Sequence, residues 1–399
     1  MKSSFLFNRV EFAGALGDLG TLLPLAIGLI LINGLNPAGI FLSVGFFYIL
    51  SGLYYGITVP VQPMKVIGAY AIATGMNTAQ ITASGFLVAL VLFIIGLTGL
   101  MGRIGRYIPK PTVRGVQLST GTLLMVGGVK LMLGTSKFQI ISQAAEPYLT
   151  VQSIGWVPIG VWIGVVAGVL TLLLLDNKTL PAAIMIVFGG LIFGLVFGTR
   201  EGLDNLKIGF SLPEVLPFGW PTAADFTFAL LALVLPQIPM TLGNAVIAYA
   251  DLSAEYFGEH SKKVTYKATC ISMALANLLS SAIGGMPLCH GAGGLAGHFR
   301  FGARTAGSNL MIGALFVVLA IGLGSHCLAI IHLLPLSILG VLLLFAGSQL
   351  ALTVMDLNDR CDLFVCLIIL GITLATNLAV AFIAGIAIAY LLKWKTISV

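Results

Sequence analysis

The chain has 399 residues, of which 58% are apolar and only 9% are charged. Soluble domains are about 45–50% apolar and about 25% charged. The 20 basic and 14 acidic residues are therefore too few to cover the surface of a soluble protein of this size. This composition excludes a soluble enzyme, a collagen and a disordered chain. It predicts an all-α polytopic membrane protein.

The formal net charge of +6 does not indicate nucleic-acid binding, because the basic residues lie singly between apolar segments and form no basic face. The five cysteines are an odd number and predict no disulfide framework. Cys289, His290 and His298 lack a fourth ligand at a spacing that zinc requires. No metal, cofactor or nucleic-acid partner is therefore expected.

The N-terminal stretch has no small-residue cleavage site, which predicts a first span and not a signal peptide.

A transmembrane helix needs about 20 mainly apolar residues. Clear spans lie near 12–32, 38–57, 79–101, 113–133, 155–175, 180–198, 223–249, 266–283, 305–323, 327–345 and 363–392. The last of these is long enough to contain two short helices. The stretches 59–75 and 284–298 are too short to span and begin with Pro or Gly, which predicts two half-helices, each preceded by an extended segment.

The two broken stretches occupy corresponding places in two halves of the chain. Pro63 and Pro287 lie 224 residues apart, and the same offset puts GDLG (17–20) beside TLGN (241–244). An odd number of spans in each half makes the halves inverted. With a cytoplasmic N-terminus, fourteen of the 20 Lys and Arg fall on the cytoplasmic face. They are Lys2, Arg9, Arg103, Arg106, Lys110, Arg114, Lys178, Lys262, Lys263, Lys267, Arg300, Arg304, Lys393 and Lys395.

The segment PVQPMK (60–65) carries the strongest local signal. Pro60 and Pro63 prevent a regular helix from starting earlier, and the turn that follows presents free N–H groups and the positive end of a helix dipole. Lys65 adds a full charge at a depth where an ionisable residue requires a partner or a cavity. This pattern predicts an anion site; the alternative is an ion pair that joins two helices.

The segment GGMPLCHGAGG (284–294) is the matching break in the second half. Its glycines permit an unwound segment, and Pro287 starts the half-helix. Two half-helix N-termini that face each other would bracket a small anion with backbone amides. His290 is interpreted either as a donor or proton acceptor in that site, or as a neutral histidine bonded to a nearby carbonyl group.

Polar residues in two further spans complete the candidate site. Asp18 is an acid well inside an apolar span, and it is a candidate proton carrier or a structural partner of Lys65. Gln237, Thr241 and Asn244 recur three or four residues apart, so they share one face of a helix, where they line a cavity or bond neighbouring helices. The clusters at 103–114 and 356–362 are predicted to be a topology loop and a polar link without a site role.

Several of these motifs together resemble those of a known family. They are GDLGTLLP (17–24), GLNP (34–37), PVQPMK (60–65), PQIPMTLGNAV (236–246), ADLS (250–253) and GGMPLCHGAGGLAGHFRFGART (284–305). They resemble the molybdate transporter family, a distant branch of the SulP sulfate permease group. The resemblance implies a seven-plus-seven inverted repeat with core and gate domains, as in uracil permeases. The core would comprise 1–105 and 222–325, and the gate 106–221 and 326–399.

The resemblance also implies where the substrate binds and what it is. It places molybdate, or sulfate, between the half-helices of spans 3 and 10, at Gln62, Pro63, Met64, Lys65, Gln237, Asn244, Met286, Pro287, Leu288, Cys289 and His290. Asp18 and His290 are the proton-coupling candidates, and a homodimer is plausible by family analogy. Typical sulfate permeases carry a STAS domain after the last span, which the sequence up to Val399 does not contain.

The sequence therefore predicts a proton-coupled secondary importer of molybdate in the cell membrane, with both termini cytoplasmic and no enzymatic activity. Its partners would be an inorganic oxyanion and membrane lipids. Carriers of sulfate, bicarbonate or a nucleobase are alternatives on the same fold; Gln237 and Asn244 supply amides where a nucleobase carrier would need an acid. A channel or a membrane-embedded enzyme is the alternative from another class.

Overall fold

The computed structural model describes residues 5–100, 108–175, 177, 181–200, 203, 206 and 209–393. Some basic residues used in the topology prediction lie outside these ranges, namely Lys2, Arg103, Arg106, Lys178 and Lys395.

The first half of the chain contains nine helices in its described residues. They are α1 (Arg9–Leu16), α2 (Leu19–Leu31), α3 (Pro37–Tyr55), α4 (Lys65–Thr74), α5 (Thr78–Thr98), α6 (Lys110–Leu133), α7 (Lys137–Ser142), α8 (Ile159–Leu174) and α9 (Ala182–Phe197). Three short strands accompany them: β1 (Gln62–Pro63), β2 (Ser153–Ile154) and β3 (Val157–Pro158).

The second half begins with one long helix, in which π-helical turns at Leu230–Val234 and Thr241–Ala248 join three α-helical pieces. These pieces are α10 (Ala223–Ala229), α11 (Leu235–Met240) and α12 (Tyr249–Phe257). The later elements are α13 (Tyr266–Ala282), β4 (Leu288–Cys289), α14 (Ala292–Arg300), α15 (Ala306–Leu323), α16 (Cys327–Ile331), α17 (Leu336–Ala351), α18 (Arg360–Ala375) and α19 (Leu378–Leu391).

The predicted spans agree with these helices except near 327–345. That segment is divided into α16 and α17, because Pro335 stands between them and a proline cannot continue a preceding helix. The expected span is therefore displaced towards the C-terminus. The long segment 363–392 forms two helices, α18 and α19, as its length allows.

Six described helices are long and apolar enough to cross a membrane by themselves, and a seventh span is formed if α1 and α2 are counted together across their 49° bend. The shorter apolar helices include α4, α8, α9 and α19. The chain is thus an integral, multi-pass membrane protein.

Contacts between the two halves follow a two-fold pattern. Helix α3 packs against α15, and α5 packs against α13. Since α3 corresponds to α13 and α5 to α15 in the repeat, a two-fold axis exchanges these two contacts. The pairs α6–α17 and β1–β4 each join a segment to its own equivalent. The fold is therefore a seven-plus-seven inverted repeat, in which α1–α2 and α10–α12 each count as one segment.

Helices α6 and α17 approach so closely that side chains do not fit between them at some positions. A Cβ atom on Gly121 would lie 2.5 Å from the carbonyl oxygen of Gly347, whereas a Cβ on Gly127 in the same helix would meet no heavy atom within 4 Å. Close approach through small residues is the usual way in which membrane helices associate.

We expect Gly121→Ala to destabilise the protein by about 1–3 kcal/mol, because the added methyl group overpacks the α6–α17 contact. The matched variant Gly127→Ala should leave stability unchanged or raise it, since alanine is the better helix former. Thermal unfolding in one detergent measures both. Equal melting temperatures for the two variants would contradict the close contact.

Candidate functional site

Strands β1 and β4, one from each half of the chain, lie side by side; we call this strand pair the crossing. Strand β1 pairs with β4 in antiparallel register, with Gln62 opposite Cys289 and Pro63 opposite Leu288. The N–H group of Met64 donates to the carbonyl oxygen of Pro287 at 2.8 Å. Since antiparallel strands run in opposite directions, α4 and α14 leave the crossing in opposite directions, with their N-termini towards it. The two predicted half-helices are present, but the second begins at Ala292 and not at Pro287 as expected, because Leu288 and Cys289 pair with β1 as a strand.

The N-terminus of α4 is capped by a side chain from the other half. The side-chain oxygen of Gln237 accepts hydrogen bonds from the N–H groups of Val66 and Ile67, at 2.9 and 3.2 Å. Its side-chain nitrogen donates to the hydroxyl oxygen of Thr241 at 2.9 Å. The N–H groups of Val66 and Ile67 are therefore occupied in this structure, and Gln237 forms its hydrogen bonds with protein groups.

The N-terminus of α14 is open by comparison. Gly291 occupies the N-cap position and supplies no side chain to bond the first turn. The N–H groups of Ala292, Gly293 and Gly294 find no acceptor among the described residues. Gly293 is exposed, and no heavy atom lies within 4 Å of the place where its Cβ would stand. Free N–H groups at a helix N-terminus attract anions; of these three residues Gly293 is exposed, Ala292 is half-buried and Gly294 is buried.

Asp18 lies at the bend between α1 and α2 and bonds to the strand crossing. The side-chain nitrogen of Gln62 donates to Asp18 Oδ1 at 2.5 Å. Both side chains are buried, and Asp18 Oδ2 and Gln62 Oε1 find no partner among the described residues. The direct hydrogen-bond partner of Asp18 is therefore Gln62, and no ion pair within 4 Å joins Asp18 to Lys65.

Glycines of α14 allow this polar pair to lie against the half-helix. A Cβ on Gly294 would stand 2.7 Å from Asp18 Oδ2 and 2.7 Å from Gln62 Nε2, and a Cβ on Gly291 would overlap Gln62 Oε1. Only glycine permits this approach at both positions.

We expect Gly294→Ala to reduce transport by at least about tenfold, since the methyl group would push α14 away from Asp18 and Gln62. Gly371→Ala in α18, where no heavy atom lies within 4 Å of the added methyl group, is the matched control and should keep most of the activity. Uptake into proteoliposomes with equal protein content measures both variants. Similar uptake by the two would contradict the packing of α14 on this pair.

A cavity of about 650 Å³ lies beside the crossing. Its first wall contains Gly17, Gly20, Thr21 and Lys65, together with Pro239, Met240, Gly243 and Asn244 and, at the end of α14, Arg300. Its second wall is formed by α6, α8, α9 and α17 and includes Arg114, Gln117, Thr171, Ala182, Phe345 and Gln349. The cavity therefore separates two groups of helices.

The charges on the cavity wall are all positive. Lys65, Lys110, Arg114 and Arg300 contribute to the lining, and no Asp or Glu of the described chain does. Lys65 is half-buried and forms no ion pair within the described residues. A low-dielectric cavity lined by one sign of charge concentrates ions of the opposite sign, so this cavity favours anions.

His290 lies behind the crossing and not on the cavity wall. Its Nδ1 is 2.9 Å from the carbonyl oxygen of Pro60, and its Nε2 is 3.0 Å from the hydroxyl oxygen of Ser272. Its ring lies 4.6 Å from that of Phe47 and 5.2 Å from that of Tyr249, between ring centroids. Because both ring nitrogens already have partners, these contacts fit the interpretation of a neutral, bonded histidine.

The structure thus divides the predicted site residues into two groups. Lys65 and Asn244 line the cavity. The others are buried at or behind the crossing, namely Gln62, Pro63, Met64, Gln237, Met286, Pro287, Leu288, Cys289 and His290. Among the described residues no cluster of three His, Cys, Asp or Glu could hold a metal ion.

Sequence reasoning missed two buried amides that brace the crossing. Asn309 bonds both the N–H and the C=O group of Val59, each at 2.8 Å. Asn277 bonds both groups of Leu288, at 2.9 and 2.7 Å. A lone asparagine inside an apolar helix is the only signal that either residue gives. Sequence reasoning also missed the basic residues of the cavity wall other than Lys65.

Three solved structures share this fold. The overall structure of SLC26A9 matches with a TM-score of 0.66 at 13% identity, covering 96% of this chain and 65% of that chain. The transmembrane domain of a cyanobacterium bicarbonate transporter, BicA, matches with a TM-score of 0.65 at 16% identity, covering 94% and 97%. Murine Slc26a9, an anion transporter in the inward-facing state, matches with a TM-score of 0.67 at 14% identity, covering 97% and 68%. The protein has the fold of SLC26-type transporters.

Sequence comparisons identify the family within this fold. A family model described as "Molybdate transporter of MFS superfamily" matches residues 10–124 and 229–350. Molybdate transporter 2 of Arabidopsis thaliana is 31% identical over 97% of this chain and 88% of its own length. Molybdate transporter 1 of the same plant is 30% identical over 99% and 90%. The chain belongs to the molybdate transporter family.

Proposed function

We propose that the protein is a secondary transporter that imports molybdate by alternating access. The observation that carries this proposal is the open N-terminus of α14, whose Gly291 lies next to Asn244 on the wall of a cavity with only basic charged lining residues within the described chain. Backbone amides and an ammonium group together favour a small anion. The names of the family and of its plant relatives supply the substrate class.

In this proposal the anion binds between the ammonium group of Lys65 and the free amides of Ala292 to Gly294. Asn244, which also lines the cavity, offers a further side-chain donor. A tetrahedral dianion accepts several hydrogen bonds at once, so it matches a set of amides better than a flat or monovalent ligand does. Sulfate has the same shape and charge and is the second candidate substrate.

Alternating access would come from movement of a core against a gate. The core comprises 1–105 and 222–325, and the gate comprises 106–221 and 326–399. Since the cavity lies between helices of these two groups, it can open and close when they slide. The side chain of Lys110 on the cavity wall is 55% exposed, and we call the end of the cavity at Lys110 and Arg114 its mouth. We place this mouth and both termini in the cytoplasm of a cell membrane, in agreement with the positive-inside rule.

Asp18 is the group that we assign to proton coupling. It is buried one hydrogen bond away from the crossing, and Oδ2 has no partner among the described residues. A proton on Oδ2 would neutralise a carboxylate close to the bound anion and would leave with it on the other side. His290 is the weaker candidate, because its two nitrogens are already bonded.

Uptake by purified protein in proteoliposomes tests the proposal. We expect saturable molybdate uptake that increases when the side of addition is acidified, and competition by tungstate and sulfate at higher concentrations. Bicarbonate and uracil serve as competitors that represent the other carriers of this fold. Absence of saturable molybdate uptake in vesicles that contain folded protein would overturn the proposal.

A further inference from the structure

Two charged clusters that are far apart in the sequence meet at the mouth of the cavity. Arg114 binds Asp356 through both arms of its guanidinium group: Nε donates to Oδ1 at 2.9 Å, and Nη2 donates to Oδ2. Lys110 Nζ lies 3.1 Å from Asp356 Oδ2. One carboxylate is therefore held by two cations, and the sequence assigned a site role to neither cluster.

A buried amide fixes the position of Arg114. The side-chain oxygen of Gln117 accepts from Arg114 Nη1 at 2.8 Å and from the hydroxyl group of Thr353 at 3.1 Å. Gln117 is only 3% exposed. One arm of the guanidinium group is therefore held by Gln117 independently of Asp356.

The cations and their support face the cavity, whereas the carboxylate comes from outside it. Lys110, Arg114, Gln117 and Thr353 all line the wall, and Asp356 does not. The side chain of Asp356 is 42% exposed, so it can turn out into solvent. Helices α6 and α17 are already joined by close glycine packing, and their contact does not depend on this ion pair.

We infer that Arg114 and Lys110 form a second binding site for a tetrahedral oxyanion, and that Asp356 is a built-in competitor which the anion displaces. A carboxylate and an oxyanion such as molybdate each present two oxygens to the fork of an arginine side chain. The site that now holds Asp356 therefore fits an edge of the oxyanion. This inference rests on the proposed function, since it needs an anion that passes through the cavity.

In a carrier, a carboxylate that competes for the same cations would help to release the bound anion. Binding must be strong enough to attract the ion and weak enough to release it. Arg114 and Lys110 without a counter-ion would retain a dianion at the mouth. With Asp356 in place, the net charge of the three groups falls to one, and an anion that leaves the central site is held only briefly.

The test is the concentration dependence of molybdate transport by Asp356→Asn. We expect the half-saturating concentration on the side of the cavity mouth to fall about fivefold, because one negative charge is removed beside the cations. The maximal rate should fall as well, since release slows. Both effects should shrink at high salt and disappear in the double variant Arg114→Gln/Asp356→Asn.

Glu259→Gln is the matched control. Glu259 also forms an ion pair, with Lys262, but its side chain is 83% exposed and it does not line the cavity. An unchanged half-saturating concentration in Asp356→Asn, or the same change in Glu259→Gln, would overturn the inference. A gain that persists in the double variant would overturn it too. Failure of the proposed function is a separate result, because it would abolish saturable uptake by the wild-type protein.

Discussion

Replacing Lys65 with alanine is expected to reduce molybdate uptake by about 100-fold or more. Lys65 is the cation beside the strand crossing, is half-buried, and has no ion-pair partner within the described residues. Because no described carboxylate lies within 4 Å of its ammonium group, a bound anion can become its close partner. Loss of one partner of a desolvated charge pair costs about 2–5 kcal/mol; a 100-fold reduction is about 2.8 kcal/mol at about 1.4 kcal/mol per tenfold, which lies within that range.

The measurement is initial uptake by proteoliposomes that contain equal amounts of folded protein. Lys130→Ala is the matched control, since Lys130 is exposed on α6 and does not line the cavity. Lys65→Arg should recover only part of the activity, because the larger planar group binds anions in a different geometry. Normal uptake by Lys65→Ala would remove the lysine from the site.

Replacing Asp18 with asparagine should uncouple transport from the pH gradient. Asparagine keeps an oxygen that can accept from Gln62 Nε2, as Asp18 Oδ1 does, and it imitates the protonated acid. It cannot release a proton. We therefore expect exchange of labelled for unlabelled molybdate to continue, while accumulation driven by a pH gradient is lost. One pH unit can drive about tenfold accumulation for each proton carried.

The two assays are run on the same vesicles, so that a folding defect would lower both. Accumulation by Asp18→Asn that still responds to the pH gradient would exclude Asp18 as the coupling group. The variant His290→Gln is the comparison, since His290 was the other candidate, and its partners are Pro60 and Ser272. We expect it to keep the pH response.

The half-helices could be predicted from sequence because their causes are local. Proline and glycine at the two breaks prevent a continuous helix, and the structure has short helices at Lys65–Thr74 and Ala292–Arg300. The polar residues Gln237, Thr241 and Asn244 of the long helix could also be recognised in the sequence, because they recur at helical spacing. The repeat followed from the matching positions of the breaks.

The sequence could not predict that a side chain would cap the N-terminus of α4 while the N-terminus of α14 has no side-chain cap. Gln237 caps α4 across 171 residues of sequence, and no local pattern says which of two helix N-termini such a side chain will reach. The cluster of Arg114 and Asp356 spans 242 residues for the same reason. The prediction of one span near 327–345 was wrong, because it followed the apolar composition of the segment and not the helix-breaking Pro335.

Locating the bound anion is the decisive experiment for the proposed site. A cryo-EM structure of the protein with tungstate, whose heavy atom scatters strongly, would place the oxyanion without reference to activity. We predict density between Lys65 Nζ and the first turn of α14, near Ala292 to Gly294. A bound anion only on the outer surface or among lipid headgroups, with this place empty at saturating tungstate, would contradict the account.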